Sequence, residues 1–150
     1  MTNAAAKLDE ALRVYDDRTR PDRIARNVWL SEHASLPGAL MGRAETLHML
    51  SETRDVFVNG HFAATLVLAI GVINHALVEE LQLRGFLGAR DPGLEAVLDK
   101  SEEHGIVDAD WIASIRQLVA RRHPFMHLKT PDHEHGLGAL SCRRRRTRID

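Results

Sequence analysis

The 150-residue chain has little cysteine, few aromatic residues and almost no net charge. Its one cysteine, Cys142, excludes an intramolecular disulfide framework and fits a reducing compartment. Aromatic residues make up 5% of the chain, and β-branched residues nowhere alternate with polar ones over a useful length, so strand signals are nearly absent. The N-terminus lacks the basic region and apolar stretch of a secretory signal. We therefore expect an all-α protein with a cytoplasmic location.

The formal net charge of -1 conceals an uneven distribution of charge. Residues 129–150 carry six basic and three acidic groups, which leaves 14 basic and 18 acidic groups in the first 128 residues. A mildly acidic body argues against a protein that coats nucleic acid through a bulk positive field. Because residues 129–150 are rich in proline, glycine, histidine and arginine, we expect a disordered, solvated basic tail there.

Apolar residues at intervals of three to four predict a helical bundle of about four core helices, preceded by one or two N-terminal helices. The first helix is predicted over about 4–18, and the second begins after Pro21, since proline favours the first helical position. The predicted organisation is N-terminal helices in residues 1–42, a bundle in 43–128 and the basic tail in 129–150.

The apolar segment from Phe62 to Ile73 predicts the centre of the bundle. It contains one clearly polar residue and is shorter than the about 20 residues that cross a bilayer, so we expect no membrane association. It continues into the polar residues Asn74 and His75. We predict a buried central helix that ends at about Leu83.

Three more helices are expected around this central one. They are predicted over about 43–58, from Leu94 to about His104, and from a cap at Asp108 or Asp110 to about Pro124.

Several familiar active-site patterns are missing from the chain. It has no glycine-rich phosphate loop and no serine nucleophile elbow. Nine histidines raise the question of a metal site, because His123 and His127 are four apart and two more follow at 133 and 135. This spacing is loose, and no glutamate stands beside the first histidine as in a metalloprotease helix. We therefore expect no metal ion and no organic cofactor.

The most informative segment contains an arginine and a histidine that are separated by four to six intervening residues. Six pairs in the chain fit this spacing, about twice the number that its composition produces by chance. Context selects Arg122 and His127, because a polar residue follows the arginine and the pair comes after the apolar central helix. Pro124 also predicts a helix break between them. On an unbroken helix, side chains five residues apart diverge by about 140°, so the break would let the two converge on one cleft.

Together with the central helix, this segment resembles the HEPN domain, a helical-bundle family marked by that arginine–histidine motif. The resemblance covers about residues 43–128. It implies a metal-independent endoribonuclease, often a toxin or effector in defence and stress systems, although some members of the family are inactive. By this resemblance two protomers dimerise so that both motifs face one composite cleft.

The resemblance also assigns roles to individual residues. Arg122 would be the phosphate-binding cation and His127 the acid/base, with Arg121 adding charge beside them. His123 stands where the family commonly has asparagine or another small polar residue, and Asn74 where many members have a polar or acidic residue on the central helix.

Two departures bear on the toxin branch of the family. Lys129 replaces a tyrosine often found two residues after the histidine, and Leu128 replaces a glycine that often follows it. These departures argue against the toxin–antitoxin interpretation more than against the domain assignment.

Our leading hypothesis is a homodimeric ribonuclease that acts on an RNA substrate through Arg122 and His127, under an antitoxin or another regulatory partner. The alternative is a non-catalytic helical domain for dimerisation or partner binding.

Overall fold

In the computed structural model, residues 3–33, 42–88 and 92–126 are described. These residues form five helices and contain no strand, which confirms the all-α prediction. The helices are α1 (Asn3–His33), α2 (Ala44–Val58), α3 (Phe62–Leu83), α4 (Leu94–Glu103) and α5 (Ala109–Met126). The helices α2 to α5 form the bundle, and within the described part of the first 42 residues α1 is the N-terminal helix.

The core lies around the C-terminal half of α3. Two leucines of α3 pack there against two residues of α4 and two of α5, and all six are buried. They are Leu77, Leu81, Val97, Leu98, Ile112 and Ile115. The spacing of three to four residues within each helix brings these side chains to one face, and their burial is the main apolar stabilisation of the bundle.

The central helix has the predicted bounds but not the predicted burial. Only Ile70, Leu77 and Leu81 of α3 are buried within the described part of the chain, and Phe62 is 59% exposed. The short helix α4 packs only on the C-terminal part of α3, so it does not cover the N-terminal half of that helix.

The expectation of no membrane span rests on the 12-residue apolar segment, but the whole helix α3 is longer than that segment. The helix has 22 residues and is long and apolar enough to cross a bilayer by length and composition alone. It packs against α2, α4 and α5, and its C-terminal half carries His75, Glu79 and Glu80.

The prediction of a helix boundary before Pro21 is wrong, because α1 runs unbroken through this residue. Proline has no N–H to donate to the carbonyl four residues earlier, but neighbouring side chains hold the turn together. The Arg23 guanidinium donates to Asp16 Oδ1 at 2.7 Å, and the Thr19 hydroxyl donates to the Tyr15 carbonyl at 2.9 Å. Of the two, the contact between Arg23 and Asp16 spans Pro21, and the Thr19 hydrogen bond lies in the turn before it.

The C-terminal third of α1 is anchored at the corner between α2 and α3. Arg26 Nε donates to the Val58 carbonyl at 2.7 Å, and its guanidinium lies over the Phe62 ring. Trp29 packs on Phe57 with ring centroids 5.6 Å apart. The arginine satisfies one of the free carbonyls that end α2, so it joins α1 to this corner through a helix cap.

Capping also fixes the ends of α2 and α5. Gly60 has φ 81°, a left-handed conformation that lets the chain reverse from α2 into α3. At the start of α5, Asp108 Oδ1 accepts the Trp111 N–H at 2.7 Å, so Asp108 rather than Asp110 is the cap.

Candidate anion and cleft residues

The structure separates the two adjacent arginines at the end of α5. Ile112, Ile115, Val119 and Arg122 follow one another at intervals of three and four, so they share one face of the helix. The two isoleucines are buried, and Val119 packs against the core. Arg122 is therefore on the side of α5 that faces the bundle, whereas Arg121 is exposed.

Arg122 is half-buried, and its Nε has no hydrogen-bond partner among the residues that the structure describes. A buried donor without a partner costs free energy, about 1–3 kcal/mol and more for a charged group. A guanidinium offers several N–H groups in a fixed planar fork that suits a phosphate or carboxylate. This side chain is thus suited to take up an anion.

An apolar groove lies between the N-terminal half of α3 and the end of α5. Ala63, Ala64, Val67 and Leu68 of α3 line it together with Phe125 of α5, and its volume is about 470 Å³. We call it the α3–α5 groove. Since Ile112 packs near Leu81 and Phe125 lies at the start of α3, the two helices are antiparallel. Arg122 is three residues, or about 4.5 Å along the axis, before Phe125.

The predicted helix break at Pro124 is wrong, because α5 continues to Met126. A proline so near the end of a helix removes only the hydrogen bond to the carbonyl of Ala120, and its φ suits a helix. The chain therefore continues as a helix from Arg122 to Met126. His127 and the basic tail lie outside the described residues, and so does the side chain of His123 within α5.

Asn74 lines a second cavity, which we call the polar cleft. Its volume is about 250 Å³, and its lining residues come from the start of α2 and the second half of α3. They are Arg43, Glu45, Asn74, His75, Val78, Glu79 and Gln82. Arg122 is not among them, so the structure groups Asn74 with Arg43 and His75 and not with the predicted arginine.

The groove and the cleft follow one another along α3. Val67, Asn74 and Val78 are separated by seven and four residues, which places them on one face of the helix. Within the described residues, Asn74 Oδ1 is buried and has no hydrogen-bond partner. This unpaired oxygen of Asn74 therefore lies on the same face of α3 as the apolar groove.

Glu79 holds the polar cleft together. Its carboxylate accepts hydrogen bonds from the Thr46 hydroxyl at 2.5 Å and from the Arg43 N–H at 3.0 Å. Partial burial raises the pKa of Glu79, but these two hydrogen bonds and the charges of Arg43 and His75 outweigh it, so the pKa lies below its usual value. The Glu79 carboxylate, which belongs to α3, thus caps the N-terminus of α2.

Two side chains beside Glu79 complete the network. His75 Nδ1 lies 3.5 Å from the Thr46 hydroxyl, and the Arg43 guanidinium donates to Gln82 Oε1 at 2.8 Å. The sequence predicts His75 only as part of the polar end of the central helix, and it assigns no role in a site to Arg43 or Glu79. A signal was available, since His75 and Glu79 are four apart beside Asn74 on an otherwise apolar helix.

In the described ranges, no group of three or more histidine, cysteine or acidic side chains is placed to hold a metal ion. The histidines of the loose cluster from 123 to 135 lie outside the side chains described.

No protein-family model matches the chain, and no match was found among curated proteins or among solved structures.

Proposed function

We propose that this protein is a cytoplasmic, metal-independent endoribonuclease of the HEPN type, in which Arg122 binds the scissile phosphate of RNA. One observation carries the proposal. Arg122 lies on the bundle-facing side of α5, half-buried, with an Nε that has no partner within the described residues. Arg23 Nε is also buried without a partner, but the guanidinium of Arg23 pairs with Asp16, whereas no ion pair joins Arg122 to another described residue.

The proposed reaction needs an acid/base group in addition to a cation. The ribose 2′-oxygen attacks phosphorus and forms a new P–O bond while the bond to the 5′-oxygen breaks. A base takes the proton of the 2′-hydroxyl, and an acid gives a proton to the leaving 5′-oxygen, so the products are a 2′,3′-cyclic phosphate and a 5′-hydroxyl. An imidazole with an ordinary pKa of about 6.5 can serve in either step, and a guanidinium stabilises the charge that develops on phosphorus.

We assign the acid/base role to His127 and supporting roles to His123, Asn74 and Arg121. In this proposal two copies form a homodimer whose cleft contains the motif of each, and a regulatory partner controls it. Because α5 is a continuous helix up to Met126, the proposal requires either that the chain turns after Met126 to bring His127 to Arg122, or that the two residues meet across the two copies.

RNA cleavage in EDTA tests this proposal. We expect the wild-type protein to cleave RNA, Arg122→Ala to be about 10²–10³-fold slower and His127→Ala about 10²–10⁴-fold slower. Arg54→Ala is the matched control, since it removes the same charge from an exposed position of α2 and should cleave as the wild type does.

A fourth variant checks the histidine assignment. His75→Ala changes the histidine of the polar cleft, and we expect it to retain activity. Loss of cleavage in His75→Ala with full activity in His127→Ala would overturn the assignment and move the site to the polar cleft. Cleavage that depends on added metal, or an inert wild-type protein on several RNAs, would overturn the ribonuclease proposal.

The second candidate function is a non-catalytic module for dimerisation or partner binding. The observation that favours it is the amount of exposed apolar surface on α1 and on the N-terminal half of α3. An RNA-inert wild-type protein that is dimeric in solution would support this candidate over the first.

A further inference from the structure

The polar cleft is lined by two side chains whose hydrogen-bonding groups no described residue takes up. The Asn74 amide makes no hydrogen bond within the described residues, and its oxygen is buried there. Glu45, in the first turn of α2, forms neither a hydrogen bond nor an ion pair in the same part of the chain. Both side chains line the cavity of about 250 Å³. An amide and a carboxylate are therefore left for a ligand in this cleft.

Arg43, in contrast, is held in place at the edge of the cleft. Its backbone N–H donates to Glu79 Oε2 at 3.0 Å, and its guanidinium donates to Gln82 Oε1 at 2.8 Å. Gln82 in turn donates to the Gly88 carbonyl at 3.2 Å. A guanidinium has several N–H groups in one plane, so Arg43 keeps donors for a ligand. Because these donors are already oriented, binding costs little conformational entropy.

The charge and the size of the cleft favour a small, neutral, flat ligand. Glu45 and Glu79 place two carboxylates around one guanidinium, which disfavours an anion. Pockets for drug-sized ligands have volumes of about 300–1,000 Å³, so a cleft of about 250 Å³ fits a smaller group such as one ring system. Val78 supplies an apolar surface on which such a ring can pack.

We propose that the polar cleft binds a guanine base. Among the RNA bases only guanine has two neighbouring N–H donors, at N1 and N2, next to two neighbouring acceptors, O6 and N7. The Glu45 carboxylate can accept from N1 and N2, and the Arg43 guanidinium can donate to O6 and N7. The Asn74 amide can turn its oxygen or its NH₂ group toward the base, because no hydrogen bond to a described residue fixes its orientation.

The base can belong to an RNA strand or to a free guanine nucleotide. The bases of single-stranded RNA are open to recognition on these edges. In an RNA strand, the cleft would give the proposed ribonuclease a preference for guanine, and the supporting role of Asn74 would be to hold this base. Binding of the base needs neither Arg122 nor His127, so the inference does not depend on the ribonuclease proposal.

Calorimetric titration of the full chain with three nucleotides provides the first test. We expect guanosine 5′-monophosphate (GMP) to bind with a dissociation constant below about 1 mM. Inosine 5′-monophosphate lacks only the N2 amino group and should bind at least about tenfold more weakly. Adenosine 5′-monophosphate should bind at least about 100-fold more weakly, because its acceptor N1 and donor N6 oppose Glu45 and Arg43.

Two variants locate the binding site in the polar cleft. We expect Glu45→Gln and Asn74→Leu each to weaken GMP binding at least about tenfold, because each removes a partner of the base. Glu52→Gln is the matched control, since Glu52 is an exposed residue of α2 that does not line the cleft. It should bind GMP as the wild type does. Circular dichroism should show a folded helical protein for all three variants.

An RNA oligonucleotide distinguishes the two sources of the base. Fluorescence anisotropy compares a labelled single strand that has one guanine with the same strand that has inosine at this position. Tighter binding of the guanine strand than of GMP, weakened by inosine, would support recognition of RNA. Binding of GMP with no gain from the strand would support a free nucleotide. Either result supports the guanine site.

Three results would overturn the inference. They are no binding of GMP at about 5 mM, equal affinities for the three nucleotides, and wild-type affinity for GMP in both Glu45→Gln and Asn74→Leu. A protein that binds GMP selectively but cleaves no RNA would overturn the ribonuclease proposal and leave the guanine site intact.

Discussion

Arg121 and Arg122 are neighbours in the chain but have different surroundings on α5. A rotation of about 100° per residue places Arg121 in solvent and Arg122 on the face that packs toward α3. Of the two, only Arg122 has a buried nitrogen with no hydrogen-bond partner within the described ranges. The helical period of three to four residues therefore distinguishes a candidate phosphate ligand from a solvated charge.

Glu79 is a second residue whose surroundings give it a definite role. We expect Glu79→Gln to lower the free energy of unfolding by about 0.5–1 kcal/mol at pH 7, because it weakens the cap on α2. The pKa of Glu79 is lowered in the folded protein, so its contribution is present above the unfolded pKa of about 4.5 and is lost as the pH falls through the folded value. Urea denaturation of both proteins between pH 3 and pH 7 should show their difference shrinking below about pH 4.5.

The neighbouring Glu80 supplies the control for this prediction. Glu80 forms an exposed ion pair with Arg84 at 2.6 Å, so Glu80→Gln should change the stability at pH 7 by less than about 0.5 kcal/mol. Equal effects of the two substitutions would contradict the capping role of Glu79.

The helices show what the sequence determines and where local signals fail. The bounds of α3 are as predicted, and of the two predicted caps Asp108 is the one that forms, because apolar runs and caps are local properties of the chain. The predictions of a break at Pro21 and at Pro124 are wrong. The contact between Arg23 and Asp16 bridges Pro21, and Pro124 lies so near the end of α5 that it removes only one hydrogen bond.

The candidate site shows the same division between local and distant information. The helical period of α5 is enough to predict that Arg122 lies on the side of the helix that faces the bundle. The tie between Glu79 and Thr46 joins residues 33 apart in the chain, and no local pattern predicts it.

The attachment of α1 to the bundle can be tested at Arg26. We expect Arg26→Ala to speed amide hydrogen exchange in residues 23–33 by about 5–30-fold, because it removes the hydrogen bond to Val58 and the contact with the Phe62 ring. Arg13→Ala is the matched control, since Arg13 pairs only with Asp9 one turn away on the exposed part of α1. Unchanged exchange in Arg26→Ala would show that this arginine does not anchor the helix.

The contact between α2 and α3 is close at Gly71. A Cβ atom there would lie 2.8 Å from Met49 Sδ. Gly71→Ala should change the free energy of unfolding by less than about 1 kcal/mol, because the flexible methionine can shift and alanine favours a helix. Gly71→Leu should cost about 1–3 kcal/mol by overpacking, and urea denaturation measures both. Equal stability of the two variants would contradict the close packing.

The whole molecule combines a small closed core with open apolar surface. The core lies between the C-terminal half of α3 and the helices α4 and α5, while exposed apolar side chains of α1 and the α3–α5 groove lie outside it. Apolar surface of this kind marks interaction sites in soluble proteins. Arg122 precedes Phe125 of the groove by three residues on α5 but is not one of the residues that line the groove.

The most direct test of the proposed chemistry compares an RNA oligonucleotide with the same strand carrying 2′-deoxy residues throughout, both in EDTA. Since attack by the 2′-oxygen is the bond-forming step, we expect the wild-type protein to cleave the RNA, leave a 2′,3′-cyclic phosphate and spare the 2′-deoxy strand. Cleavage of both strands, cleavage only after metal is added, or no cleavage of any RNA would contradict a metal-independent ribonuclease centred on Arg122.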